Sequence, residues 1–171
     1  MSSTPQMPDT IIDPVDWARH YWDQQGLDGD EQRFLVLTSL LRYQRIVADS
    51  VDSQLKAHGL NMTDYLLLMT LQLSNTGTRL ISSLARNLLV HATTATLATD
   101  RLEQRKLLKR SPHPTDRRAT CITITKQGRD LASEATRALT TVDFGMHGST
   151  PEDVSQLRFA LTRMRQSAGD A

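Results

Sequence analysis

The sequence predicts a mainly α-helical fold with one small β hairpin beyond its middle, and three observations predict it. Apolar residues recur at three- and four-residue steps through most of the 171 residues, the period of helices buried on one side. Strand character is concentrated in two short runs, Leu107 to Arg110 and Ala119 to Thr125, the second rich in β-branched residues. Between them lies Ser111-Pro112-His113-Pro114-Thr115-Asp116-Arg117-Arg118, which cannot continue a helix because its prolines lack an N–H and fix φ.

Composition bounds the rest. With 39% hydrophobic and 23% charged residues the chain has enough apolar side chain for a packed core, which excludes a disordered class. No apolar run approaches the roughly 20 residues of a membrane helix. One cysteine excludes an internal disulfide framework and fits a reducing compartment. The N-terminus has no basic segment followed by an apolar core, so the expected location is the cytoplasm.

Residues 1–30 read as an acidic extension with a short Trp-rich helix. After a Ser, Thr and Pro-containing tail, Asp13 is the expected cap and Pro14 the first helical residue, with Trp17, Tyr21 and Trp22 close together and Gly26 ending the run. Asp30 is then expected to cap a long helix from Glu31 to Ala57, about 40 Å in length. Its apolar set, including Leu37, Leu40, Leu41, Ile46, Val47, Val51 and Leu55, is wider than one stripe, which predicts a second surface buried against another subunit. Thr63 is the expected cap of a short core helix through Tyr65 to Leu73, and Thr78-Arg79-Leu80 a very short strand joining the hairpin sheet. Ile81, Leu84, Ala85, Leu88 and Leu89 mark another helix, capped by Ser82 or Ser83, and Thr93 opens the next after a turn without glycine. Thr125 caps a helix carrying Leu131, Ala132, Ala135, Ala138 and Leu139. Thr150-Pro151-Glu152-Asp153 starts the last one, with a hydroxyl cap, proline and acids in the first turn.

Net charge is only +1, but it is unevenly placed: residues 1–31 carry −6 and residues 101–118 carry +5. A local basic patch binds phosphate while the whole molecule stays near neutral. That patch follows a short helix, a tight connection and a longer helix, the plan of a helix-turn-helix with a β-wing. On the longer helix Ala95, Ala98, Thr99 and Leu102 share the inward face, leaving Thr93, Thr94, Leu97 and Arg101 outward. Hydroxyls at a helix N-terminus donate to phosphate or base edges, methyl groups and Leu97 meet thymine methyls, and Arg101 reaches guanine or phosphate. Arg117 and Arg118 at the proline-stiffened tip suit a minor groove, and Asp116 is placed to pair with an arginine and hold the hairpin.

The run Thr93-Thr94-Ala95-Thr96-Leu97-Ala98-Thr99-Asp100-Arg101-Leu102-Glu103, then Leu107-Leu108-Lys109-Arg110, Asp116-Arg117-Arg118-Ala119 and Ile124-Thr125-Lys126-Gln127-Gly128, resembles the MarR family of winged-helix transcriptional regulators. That pattern runs S-T-V-T-R-L-V-D-R-L-E-x-x-G-L-V/I-x-R, then D-x-R and L-T-x-x-G. The resemblance implies a homodimer with residues 31–60 and 126–171 as helical dimerisation region and 61–125 as winged helix-turn-helix DNA-binding lobe. It implies a pseudo-palindromic double-stranded operator, a repressor role, and release by a small, often aromatic ligand. By similarity Thr93, Thr94 and Arg101 take the recognition-helix role, Arg117 and Arg118 the wing role, and Asp116 the bracing role. Tyr43, Met69 and Arg86 are the candidate ligand lining. Two departures stand out: Leu97 where the family often has Arg, and Lys106 where it usually has Gly.

No other chemistry is expected. His20, His58, His91, His113 and His147 are too scattered to pair as metal ligands, and neither a phosphate loop nor an activated nucleophile appears, so the expectation is no enzyme, no cofactor and no metal. Cys121 has no second cysteine and reads as a small buried hydrophobe rather than an oxidant sensor. A second reading stays open: a helical dimer acting through protein or small-molecule contacts with weak or no DNA binding, supported by Leu97 and the acidic N-terminus.

Overall fold

The computed structural model describes residues 13–170 apart from Arg117. Along it run α1 (Pro14–Trp22), α2 (Glu31–Ala57), α3 (Met62–Gln72), β1 (Thr78–Leu80), α4 (Ile81–Asn87), α5 (Ala92–Gln104), β2 (Leu108–Pro112), β3 (Thr120–Ile124), α6 (Lys126–Thr140), a 3-10 turn (Asp143–Gly145) and α7 (Pro151–Ser167). The mainly α fold with a small β-wing is therefore present. The chain divides into two compact units after Ala48, within α2.

In the first unit Asp13 caps α1 through the amide of Val15, with Pro14 at the first position. Trp17 and Tyr21 lie 5.5 Å apart at their ring centroids, and Trp22 packs on Phe34 of α2 at 5.2 Å. The Asp30 carboxylate accepts the Arg33 amide at 2.9 Å and starts α2 as its sequence requires. No α1 residue is buried, and Leu37, Leu40, Leu41 and Ile46 of α2 stay exposed.

The core lies in the second unit. α3 sits at its centre, packed on α5, α6 and β3, with Leu67, Leu68 and Leu71 fully buried beside Leu55, Leu84, Leu102, Ile122 and Leu139. The cap of α3 is Asn61, not Thr63: its side chain accepts the Asp64 amide while Asp64 returns to the Asn61 amide, a reciprocal capping box. The sheet is antiparallel in the order β1-β3-β2, with Leu80 opposite Cys121 and Ser111 opposite Cys121 on the other side. β2 is an edge strand, which is why Pro112 is tolerated in it opposite Thr120. Neither Ser82 nor Ser83 caps α4. Its N-cap is Leu80, without a side-chain bond, because the chain enters the helix directly from β1.

Thr125 joins wing to helix. Its hydroxyl donates to the carbonyls of Lys106 and Leu107 and accepts the Gly128 amide, capping α6. A Cβ on Gly128 would stand 2.0 Å from the Leu107 carbonyl oxygen, so the first turn of α6 touches the start of β2 only through a glycine. Thr150 caps α7 with Asp153 in a second capping box, and no α7 residue is buried. No described helix is long and apolar enough to cross a membrane.

Candidate nucleic-acid interface

The turn between α4 and α5 works without glycine because Leu89 takes the left-handed conformation, φ +50°. The Leu89 amide reaches the Arg86 carbonyl and the Val90 amide the Ala85 carbonyl, closing α4 and aiming the chain into α5. The α5 cap is His91 rather than Thr93. Its Nδ1 accepts the Thr93 amide at 3.4 Å and lies 3.1 Å from the Thr93 hydroxyl. The helix divides as its pattern requires: Ala95, Ala98, Thr99 and Leu102 are buried, while Thr93, Thr94 and Leu97 face outward.

The basic patch is redistributed. Arg101 places Nε and Nη2 on the two carboxylate oxygens of Asp64, at 3.1 and 2.5 Å, instead of standing free for guanine. Asp64 is buried, so only a cation brought to it can match its charge, and the bonded carboxylate raises the Arg101 guanidinium above its ordinary value. Arg105 donates to the carbonyls of His58 and Gly59, at 3.2 and 2.5 Å, closing the exposed end of α2. Arg110 of β2 lies against the α5 acids, with Nη2 2.5 Å from Asp100 and Nε 3.6 Å from Glu103. These are ion pairs outside hydrogen-bond angles. Three of the arginines therefore fasten α5 to α2, α3 and the wing. Lys106, Lys109 and Arg118 remain exposed.

Lys106 meets the demand usually met by glycine. It adopts φ +59°, its amide reaching the Glu103 carbonyl and the Leu107 amide the Leu102 carbonyl, so the cap is kept with a side chain in the left-handed region. At the wing tip Asp116 accepts the backbone amide of Arg118 at 2.9 Å, and the Arg118 side chain is exposed. His113 is a bracing residue the sequence reading passed over: its Nδ1 accepts the amides of Thr115 and Asp116, and its own amide bonds Ala119. Arg117 lies outside the described residues.

Arg86 lines an open cleft of about 710 Å³ with Asn87, Thr162, Arg165, Gln166, Gly169 and Asp170. Met69 instead receives the Thr136 hydroxyl at its sulfur, 3.5 Å away on α6. Tyr43 is half-buried in the first unit. Cys121 is half-buried in β3 and is the one free cysteine. Among the described residues no group of three His, Cys, Asp or Glu stands together as a metal ion would need.

Comparison with known proteins places this architecture. Residues 60–120, from the start of α3 to β3, match the model of the MarR family. The chain is 33% identical over 101 residues to the HTH-type transcriptional regulator MhqR of Bacillus subtilis, covering 59% of this chain and 66% of that protein, just under two thirds of its length. Sco5413, a MarR family transcriptional regulator from Streptomyces coelicolor, is 33% identical with a TM-score of 0.75, over 81% of this chain and 96% of that one. Sco3205 from the same organism, crystallised in complex with DNA, shares the fold at a TM-score of 0.71 and 21% identity, over 82% and 90% of the two chains. The chain thus belongs to the MarR family, whose members matched here are transcriptional regulators.

Proposed function

We propose that the protein is a homodimeric repressor in the cytoplasm that binds a pseudo-palindromic DNA operator with two winged lobes and is released by a small molecule. In this reading residues 61–125 form the DNA-binding lobe, residues 31–60 and 126–171 pair the subunits, and residues 1–30 are an accessory extension. Thr93, Thr94 and Leu97 enter the major groove, and Lys106, Lys109, Arg117 and Arg118 take phosphate or minor-groove positions. Arg101 acts chiefly through Asp64, by holding α5 in place.

The carrying observation is the outward face of α5. It has exposed hydroxyls at its N-terminus and is followed directly by a wing with outward cations, while its inward face is locked into the core. The relative Sco3205, with the same fold, was crystallised with DNA. The cleft at Arg86 brings Arg86 and Arg165 together with Gln166, donors suited to a small anionic ligand. Duplex binding should weaken steeply as salt rises. Changing Arg117→Ala together with Arg118→Ala should lower affinity for all DNA and flatten that salt dependence, with the fold unchanged. Unchanged gel-shift affinity in the double variant removes the wing from the interface.

A second reading has its own support: three arginines of the basic patch are engaged within the fold, and residues 1–31 carry −6. On that reading the protein acts through protein or small-molecule contacts. Capturing fragments of genomic DNA at moderate salt separates the two, because a recurrent inverted repeat supports the first and no enrichment supports the second.

A further inference from the structure

We infer that α5 selects its operator through thymine methyl groups, with Leu97 reading one T·A pair in each half-site. The inference rests on the DNA-binding reading above and adds the chemistry of the base that is read. Leu97 is 57% exposed on the outward face of α5, one turn beyond Thr93 and Thr94. It has no hydrogen-bonding group, so it cannot read any donor or acceptor. Among the base edges of the major groove the one apolar group is the C5 methyl of thymine. Burying that methyl under a leucine removes apolar surface from water on both partners.

The arginines that would otherwise dominate base choice are withdrawn. Guanine is read by two parallel donors aimed at O6 and N7. On Arg101 one of the two edges that form such a fork, Nε with Nη2, lies on Asp64. Releasing it would leave a buried carboxylate without its cation, which opposes any rearrangement toward a base. Arg105 is held by the end of α2, and Arg110 by Asp100 and Glu103. The outward cations Lys106, Lys109 and Arg118 come after the helix, where phosphate is the natural partner. An arginine carried on a hairpin favours a narrow minor groove, which A·T pairs provide. Helix and wing therefore lean toward the same base pairs for separate reasons.

The test begins with operators selected from a random-sequence duplex pool at moderate salt. Each thymine of the selected site is then replaced by uracil, which removes the methyl and leaves pairing intact. At one position per half-site the protein should lose about fourfold in affinity per methyl, equivalent to about 0.8 kcal/mol. Leu97→Ala, a change at an exposed position checked for an unaltered circular dichroism spectrum, should bind the thymine and uracil duplexes alike. A penalty of equal size in both proteins, or no penalty at any thymine, overturns the inference while leaving DNA binding intact. A pool that yields no enriched sequence also overturns it, and if binding is then indifferent to salt, the DNA-binding reading falls with it.

Discussion

At the scale of single residues, the interface is held by contacts far apart in sequence. Asp64 caps its own helix and, 37 residues away, receives the Arg101 guanidinium, so one buried carboxylate fixes both the start of α3 and the last turns of α5. Arg101→Ala leaves that carboxylate with only its backbone partner, and should destabilise the fold by about 1–3 kcal/mol in urea denaturation. Asp64→Asn keeps the cap and removes the charge, so its loss should be smaller; an equal loss would mean that the carboxylate left unpaired by Arg101→Ala carries no penalty of its own. Gly128 is constrained by space instead of charge. Its missing Cβ would meet the Leu107 carbonyl oxygen at 2.0 Å, which is backbone and cannot turn aside, and the Ile124 side chain at 2.9 Å. Gly128→Ala should therefore cost about 3 kcal/mol by thermal denaturation, since relief requires moving backbone. The glycine of the quoted T-x-x-G motif is explained by this contact between α6 and the first residue of the wing.

At the scale of elements, local chemistry sets most helix boundaries. Asp13, Asp30, Thr125 and Thr150 cap the helices that follow them because an oxygen-bearing side chain precedes an amphipathic run, and that pattern is legible without coordinates. Where the reading differs, the reason is physical. Asn61 prevails over Thr63 because only Asn61 has an acid three residues on to return the bond. His91 prevails over Thr93 because an imidazole nitrogen accepts an amide as an oxygen does, outside the usual set of capping residues. The outward face of α5 was legible for the same reason its inward face was, from helical period. The fate of Arg101 and Arg105 was not, because their partners lie 37 and 46 residues away, at no fixed spacing. The capping box of α7 also carries a pH response. Hydrogen bonds from the Thr150 hydroxyl and amide hold the Asp153 carboxyl below its ordinary 3.8. A lowered folded value means the contribution is complete above 3.8 and is lost as pH falls through the folded value. Protection of the first-turn amides of α7, measured against their intrinsic exchange rate, should fall on acidification below that point, and Asp153→Asn should abolish the response. A response that survives in the variant would place its origin elsewhere.

At the scale of the whole molecule, the main question is what covers the apolar surface left open. In the first unit Leu37, Leu41 and Ile46 are more than half exposed, at 52, 58 and 61%. In the second, α7 runs for 17 residues without one buried, and Phe159 and Met164 are exposed at 61 and 56%. Single exposed leucines need no explanation, but α7 has no fully buried residue and only Leu157, Ala160, Leu161 and Thr162 half-buried, and isolated helices of that size are marginal in water. Its exposed capping box is too weak to make up the difference. On the homodimer proposed above, a second copy supplies the missing stabilisation, because both copies carry the same need. The protein should therefore sediment as a dimer at micromolar concentration, with a thermal midpoint that rises with concentration. Phe159→Asp combined with Leu41→Asp places two charges on the surfaces in question. It should yield a monomer whose α7 signal is reduced, while the core of the second unit, which uses neither residue, keeps its sheet. A monomeric wild type with fully helical α7, or a dimer unaffected by both substitutions, would move the subunit contact away from these surfaces. It would also remove the spacing of two lobes on which the reading of a palindrome depends.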